Sequence, residues 1–183
     1  MNIRGLSVAL ACVAVAGGMP EAGAQPRMAQ VKVESTAFDD GGIVPEKYAF
    51  RGENVQPGFT FSGLPENAVS IAIIFHDLDV GLQGGTDDVL HWTAWNIPAS
   101  ADGIPEGGLP DGAVSGNNIR QQPGYMGPGA PAGERYHHYV FEFYVLSENL
   151  DLAQTASRED LLGAMAGKVV GKAAYVGRYR GSQ

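Results

Sequence analysis

All four histidines of this 183-residue chain stand at the edges of apolar runs, close to carboxylates. His76 and Asp77 follow the run Ser70–Phe75, with Asp79 two residues on. His91 lies at the start of Leu90–Ile97, and His137 and His138 at the start of Tyr136–Leu146. Histidines beside carboxylates can hold zinc or other divalent ions, but the chain has no H-x-x-x-H pair and the spacing is diffuse. A His–Asp pair can activate a serine, yet there is no G-x-S-x-G sequence, and nothing beside Ser62 or Ser115 marks either as reactive. A His/Asp set can also receive an anion, each Asp keeping a His oriented or charged while loop N–H groups complete the shell. Equally, strand-end polar residues can simply satisfy one another and the backbone. Spacing alone leaves these last two uses level.

The elements that would position these groups are strands. Val31, Val33 and Phe38 are separated by polar residues, as in a half-buried strand, and Asp39–Gly42 is a turn signal. Ser70–Phe75 is a continuous apolar, β-branched run, which predicts a strand covered on both faces. Leu90–Ile97 and Tyr136–Leu146 are rich in aromatic and β-branched residues, and Val169–Tyr179 reads as the last strand. Ser157 and Asp160 resemble a capping box before a helix whose one face carries Leu161, Leu162, Met165 and Val169. Short strands, Gly/Pro turns and one late helix predict a mostly β chain: a mostly antiparallel sandwich with a peripheral helix. Period-two geometry sets His137 with Tyr139, Phe141, Phe143 and Val145, and turns His138 the other way. It also sets His91 with Thr93, Trp95 and Ile97, opposite Trp92. Three strand ends can thus deliver Asp77, Asp79, His91 and His137 to one mouth.

Residues 102–133 hold nine glycines and five prolines with no period. A loop of that length is either functional or a loose surface excursion. Here it runs directly into the aromatic-rich strand beginning near Tyr136, which anchors its end. The net charge of -8 disfavours nucleic acid and leaves no polybasic membrane anchor. With 44 % hydrophobic residues the chain can bury a sizeable core. Arg4, the apolar stretch from Leu6 to Ala16 and Ala22-Gly23-Ala24 read as a secretory signal peptide over residues 1–24, followed by a single domain over 25–183. A lipoprotein reading at Cys12 would leave an apolar region of only a few residues. Cleavage after Ala24 removes this one cysteine, so the mature protein is periplasmic or secreted with no disulfide.

Taken in order, these segments resemble the phosphatidylethanolamine-binding protein family, specifically its bacterial, Raf-kinase-inhibitor-like branch. The resemblance runs from Ser35 to Gly181. It rests on GENVQP at 52–57, FTFSGLP at 59–65, HDLDV at 76–80, HWTAWNIP at 91–98 and GPGAPAGERYHHYVFEFYVL at 127–146. It implies two antiparallel sheets in Greek-key order and a small pocket for phosphate, acetate-like anions or phospholipid head groups. By position, Asp77, His91, His137 and Tyr139 would line the pocket, with Asp79 and Pro131 close by. Leu78 replaces the proline between the two aspartates, Gly81 stands where many members have a cis proline, and Gly129 and Ala130 alter a proline-rich edge. A cis peptide without proline costs about 2.5–4 kcal/mol, so any bend there must be made another way. The expected function is an exported anion or head-group binder, without catalysis, cofactor or metal. A protein-interaction regulator acting through residues 102–133 is the alternative, and a metal-dependent hydrolase on the same residues ranks below it. The physiological ligand, the protein partner and the oligomeric state are not legible. Exported protein should begin at Gln25; an intact mass retaining Met1 would contradict the cleavage site.

Overall fold

The computed structural model describes residues 28–101, 103–133 and 135–182, so the segment read as a signal peptide, Cys12 included, lies outside the described residues. The strands are β1 (Ala29–Gln30), β2 (Lys32–Glu34), β3 (Gly42–Ile43), β4 (Thr60–Ser62), β5 (Ser70–Asp77), β6 (Val89–Pro98), β7 (Val114–Ser115), β8 (His137–Leu146) and β9 (Val169–Tyr179), with helix α1 (Arg158–Met165) before the last. The main sheet runs β1-β9-β8-β5-β6-β7, with β3 also on β9, and β2 pairs with β4 in a separate ribbon. The central pairs are antiparallel, as expected of a mostly antiparallel arrangement, while β1 and β3 join β9 in parallel, so the sheet is mixed at that edge.

Every residue of β5 is buried, which the apolar run anticipated. On one face Ile71, Ile73 and Phe75 join Phe141, Phe143, Val145, Tyr175 and Phe59 in the larger core. Phe75 and Phe141 stack 3.8 Å apart across the β5–β8 pair. On the other face Ala72 and Ile74 pack with Trp95, Leu146, Leu161 and Met165 beneath α1. The helix is capped as expected: the Ser157 hydroxyl accepts from the Asp160 N–H at 3.1 Å, and the Asp160 carboxylate accepts from the Ser157 N–H at 3.0 Å. It is shorter than the side-chain spacing suggested. Leu162 is exposed and Val169 opens β9, because Gly167 adopts a left-handed φ of 78° just past the cap.

Two irregularities in β6 change which side chains face the larger core. Between the pairs Phe75–Trp92 and His76–Leu90, β6 advances two residues against one on β5. That bulge puts His91 on the same side as Trp92, so the uninterrupted alternation that grouped His91 with Thr93 and Trp95 does not hold. A second shift, near Asn96, restores Ile97 to the core. Asn96 takes a left-handed φ of 57° there, and its amide both donates to the Leu150 carbonyl at 2.9 Å and accepts from the Leu150 N–H at 2.8 Å.

The glycine-rich loop is fastened along β6. Gly116 N–H donates to Thr93 O, Ile119 N–H to Leu90 O and Met126 N–H to His91 O. Further in, the Tyr125 hydroxyl donates to Tyr48 O at 2.9 Å. The segment after β5 turns through a short 3-10 turn at Leu82–Gly84, with Gln83 and Gly84 both left-handed.

Candidate functional site

The β5–β8 register sets Asp77 opposite Tyr139, with His137 two residues before it on the same face. Asp77 is 3 % exposed. A carboxylate buried that deeply needs donors, and it has them: His137 Nδ1 lies 2.8 Å from Oδ2 and the Asp79 N–H donates to Oδ1 at 2.9 Å. The Tyr139 oxygen accepts from the N–H groups of Ala130 at 2.9 Å and Gly129 at 3.2 Å. Burial, followed by the adjacent Asp77 charge, pushes the phenol well above its usual range, so Tyr139 stays a neutral donor. Both acceptor positions of its oxygen are filled by the loop.

His91 comes in from β6 through the bulge, its ring edge-on to Tyr139 at 5.2 Å. Its Nδ1 lies 2.8 Å from the Met126 carbonyl, which can only accept, so Nδ1 carries the proton and Nε2 is left as an acceptor. Burial lowers the pKa of this ring below the ordinary value of 6.5, outweighing the bond to Met126 and the Asp77 charge. Met126 belongs to the loop, which passes close because residue 127 has no side chain: a Cβ there would sit 2.2 Å from the Tyr48 carbonyl. The Gly127 N–H donates to Asn54 Oδ1 at 2.8 Å.

These residues enclose a cavity of about 380 Å3. Asp77, His91, Pro131, His137 and Tyr139 line it, together with Phe50, Arg51, Val80, Val89, Ile119 and Arg120. Asp79 does not. Its carboxylate is turned to the Arg135 guanidinium and to His138, accepting from the His138 N–H at 2.6 Å and lying 2.9 Å from its ring Nδ1. Desolvation works against the Asp79 charge, but those hydrogen bonds and the Arg135 charge win and hold its pKa below the usual value. Asp79 therefore ties the end of β5 to the start of β8, and touches the cavity residues only through its N–H to Asp77. His76 faces the opposite side of the sheet, ion-paired with Asp88 and 3.5 Å from Glu142. His138 is exposed.

A shell of loop N–H groups is not available either, since those of Gly127, Gly129 and Ala130 are engaged by Asn54 and Tyr139. No serine, threonine or cysteine lines the cavity among the described residues. Ser115 accepts from the Trp92 indole, and Ser62 lies in β4. Among the described residues, no three His, Cys, Asp or Glu side chains are grouped to hold a metal. Arg51 and Arg120 were missed by the sequence reading, because nothing beside them in the chain marks a loop arginine as part of a distant cavity.

The family model described as phosphatidylethanolamine-binding protein matches residues 34–180. A protein of Methanothermobacter thermautotrophicus carrying only the designation UPF0098 is 40 % identical over 155 residues, covering 82 % of this chain and 99 % of that one. LppC of Mycobacterium tuberculosis, named as a candidate lipoprotein, is 32 % identical over 156 residues, 85 % of this chain and 75 % of its own length. The crystal structure of E. coli YbcL, described as a new member of the mammalian PEBP family, superposes with a TM-score of 0.75 at 26 % identity, covering 83 % of this chain and 99 % of YbcL. Among the described residues no helix is long and apolar enough to cross a membrane.

Tyr139→Phe removes the acceptor of two loop amides while keeping the ring. Urea denaturation should show a loss of about 1–3 kcal/mol with the fold retained; unchanged stability would show that the hydroxyl does not hold the loop.

Proposed function

The chain belongs to the phosphatidylethanolamine-binding protein family, and from that premise we propose that it binds small anions, a phosphorylated head group among them, in the cavity around His137, without catalysing a reaction. The observation that carries this reading is the His137–Asp77 pair, 2.8 Å apart at the wall of a cavity open to solvent. Held by Asp77 through Nδ1, a protonated His137 has Nε2–H to offer a ligand, and charge-assisted bonds of this kind are roughly twice as strong as neutral ones. His91 adds a second donor only when protonated, because its Nδ1–H is committed to Met126. With no serine, threonine or cysteine in the described lining, and the Tyr139 phenol held neutral by burial, binding is favoured over hydrolysis through a side-chain nucleophile. The loop after residue 102 builds the cavity wall through Met126, Ala130 and Pro131, which gives its inner half a role in the pocket. Export with cleavage after Ala24 belongs to the same reading, and the relative LppC carries the name of a candidate lipoprotein.

The pH dependence has a definite sign. Burial depresses the His91 pKa in the free protein, so the imidazolium is scarce near neutrality and forms only below the ordinary value of 6.5. An anion that binds beside it raises that pKa, so the ring takes up a proton on binding and affinity should increase as pH falls. Sulfate is the suitable probe because its own charge does not change in this range. Titration followed by NMR should move the ring signals of His91 and His137, with a dissociation constant between about millimolar and micromolar, tightening between about pH 8 and pH 5. His137→Gln should weaken binding by about tenfold or more. Sulfate that leaves both rings unmoved at the acidic end would overturn the reading.

A further inference from the structure

Six described cations, Lys32, Lys47, Arg135, Arg158, Lys168 and Lys172, sit within ion-pair distance of carboxylates. Arg51 and Arg120 have no such partner among the described residues, and both line the same cavity. In a chain of net charge -8, carboxylates are not scarce. Two guanidinium groups without an ion pair among the described residues thus share one cavity, whose lining also includes the buried Asp77 carboxylate. Arg120 is held there: its guanidinium lies 4.3 Å from the centre of the Phe50 ring, and its N–H donates to Asn118 Oδ1 at 2.9 Å.

The deeper groups leave the charge of a ligand largely unmet. The Tyr139 oxygen and the loop N–H groups are occupied within the protein, and neutral His91 offers only an acceptor. Beside a protonated His137, the charged donors lining the cavity are the two arginines. An ammonium group, as in phosphoethanolamine, would meet like charge at this mouth, and a phosphodiester brings one negative charge where a monoester can bring nearly two.

We propose that Arg51 and Arg120 are specificity-determining residues that select a phosphomonoester without an adjacent cation over zwitterionic and phosphodiester head groups. This rests on the anion-binding reading above and goes beyond it in fixing the ligand class. The terminal phosphate can be carried by a soluble compound or by a lipid such as phosphatidic acid. Because both arginines are exposed, the selection should be modest and should shrink with salt.

The test compares methyl phosphate, dimethyl phosphate and O-phosphoethanolamine by calorimetry and by the His137 ring signals, on wild type, Arg51→Gln, Arg120→Gln and the double variant. Wild type should prefer methyl phosphate by roughly threefold to thirtyfold, and the double variant should lose that preference while His137 still responds. Equal binding of the three probes to wild type, or a preference that survives in the double variant, overturns the arginine assignment and leaves the anion site standing. Failure of all three to bind or to move His137 overturns both. Phosphatidylcholine vesicles with and without phosphatidic acid separate the sources. Sedimentation with the former alone, reversed by methyl phosphate, marks a lipid ligand, and methyl phosphate binding without sedimentation marks a soluble one; each is consistent with the selection.

Discussion

A carboxylate 3 % exposed at the end of a fully buried strand is the constraint around which this site is arranged. Isolated, such a charge would cost far more than a domain can spare. Asp77 is kept by His137 and by the Asp79 N–H, and each is thereby fixed. His137 is pinned through Nδ1, which settles which nitrogen can face the cavity. Tyr139, set opposite Asp77 by the strand register, collects the Gly129 and Ala130 N–H groups on its oxygen and draws the loop across. The loop brings Met126 over His91 and fixes that tautomer as well. Removing one partner of a buried ionic cluster typically costs more than the cluster contributes, because the remaining charge is stranded.

Adjacent residues of β5 serve opposite faces of the sheet. Asp77 faces the cavity, while His76 joins Asp88, to which Arg158 of α1 also bonds at 2.5 Å. Glu142, 3.5 Å from His76, is paired with Lys172 of β9 at 2.8 Å. The helix and the sheet are thus joined by charge as well as by Leu161 and Met165, behind the strand end that carries Asp77. The Asp88 pKa is lowered even though desolvation raises it, because the bond and charge of His76 and then Arg158 prevail.

Much of this was legible where one residue type dominated a stretch of chain. The β-branched run at 70–75, the aromatic alternation at 137–146 and the Ser157/Asp160 cap each express a local rule that nothing later in the fold overrides. The parity argument set His137 and Tyr139 on one face, and they share it. It failed at His91, since period two assumes an unbroken strand and the bulge opposite Phe75–His76 inserts a residue that no local signal announces. Asp79 was misjudged for a related reason: beyond the strand end, parity no longer governs direction, and the neighbouring Arg135 and His138 claim its carboxylate. Arg51 and Arg120 and the parallel strands β1 and β3 depend on contacts between distant segments, which spacing does not encode.

The most direct measurement is a crystal structure of the protein grown at acidic pH in phosphate. The account predicts tetrahedral density in the cavity with an oxygen about 2.7–2.9 Å from His137 Nε2, while Nδ1 remains on Asp77 and Asp79 stays with Arg135. A His137 ring turned away from Asp77, or phosphate bound elsewhere with this cavity empty of it, would contradict the account.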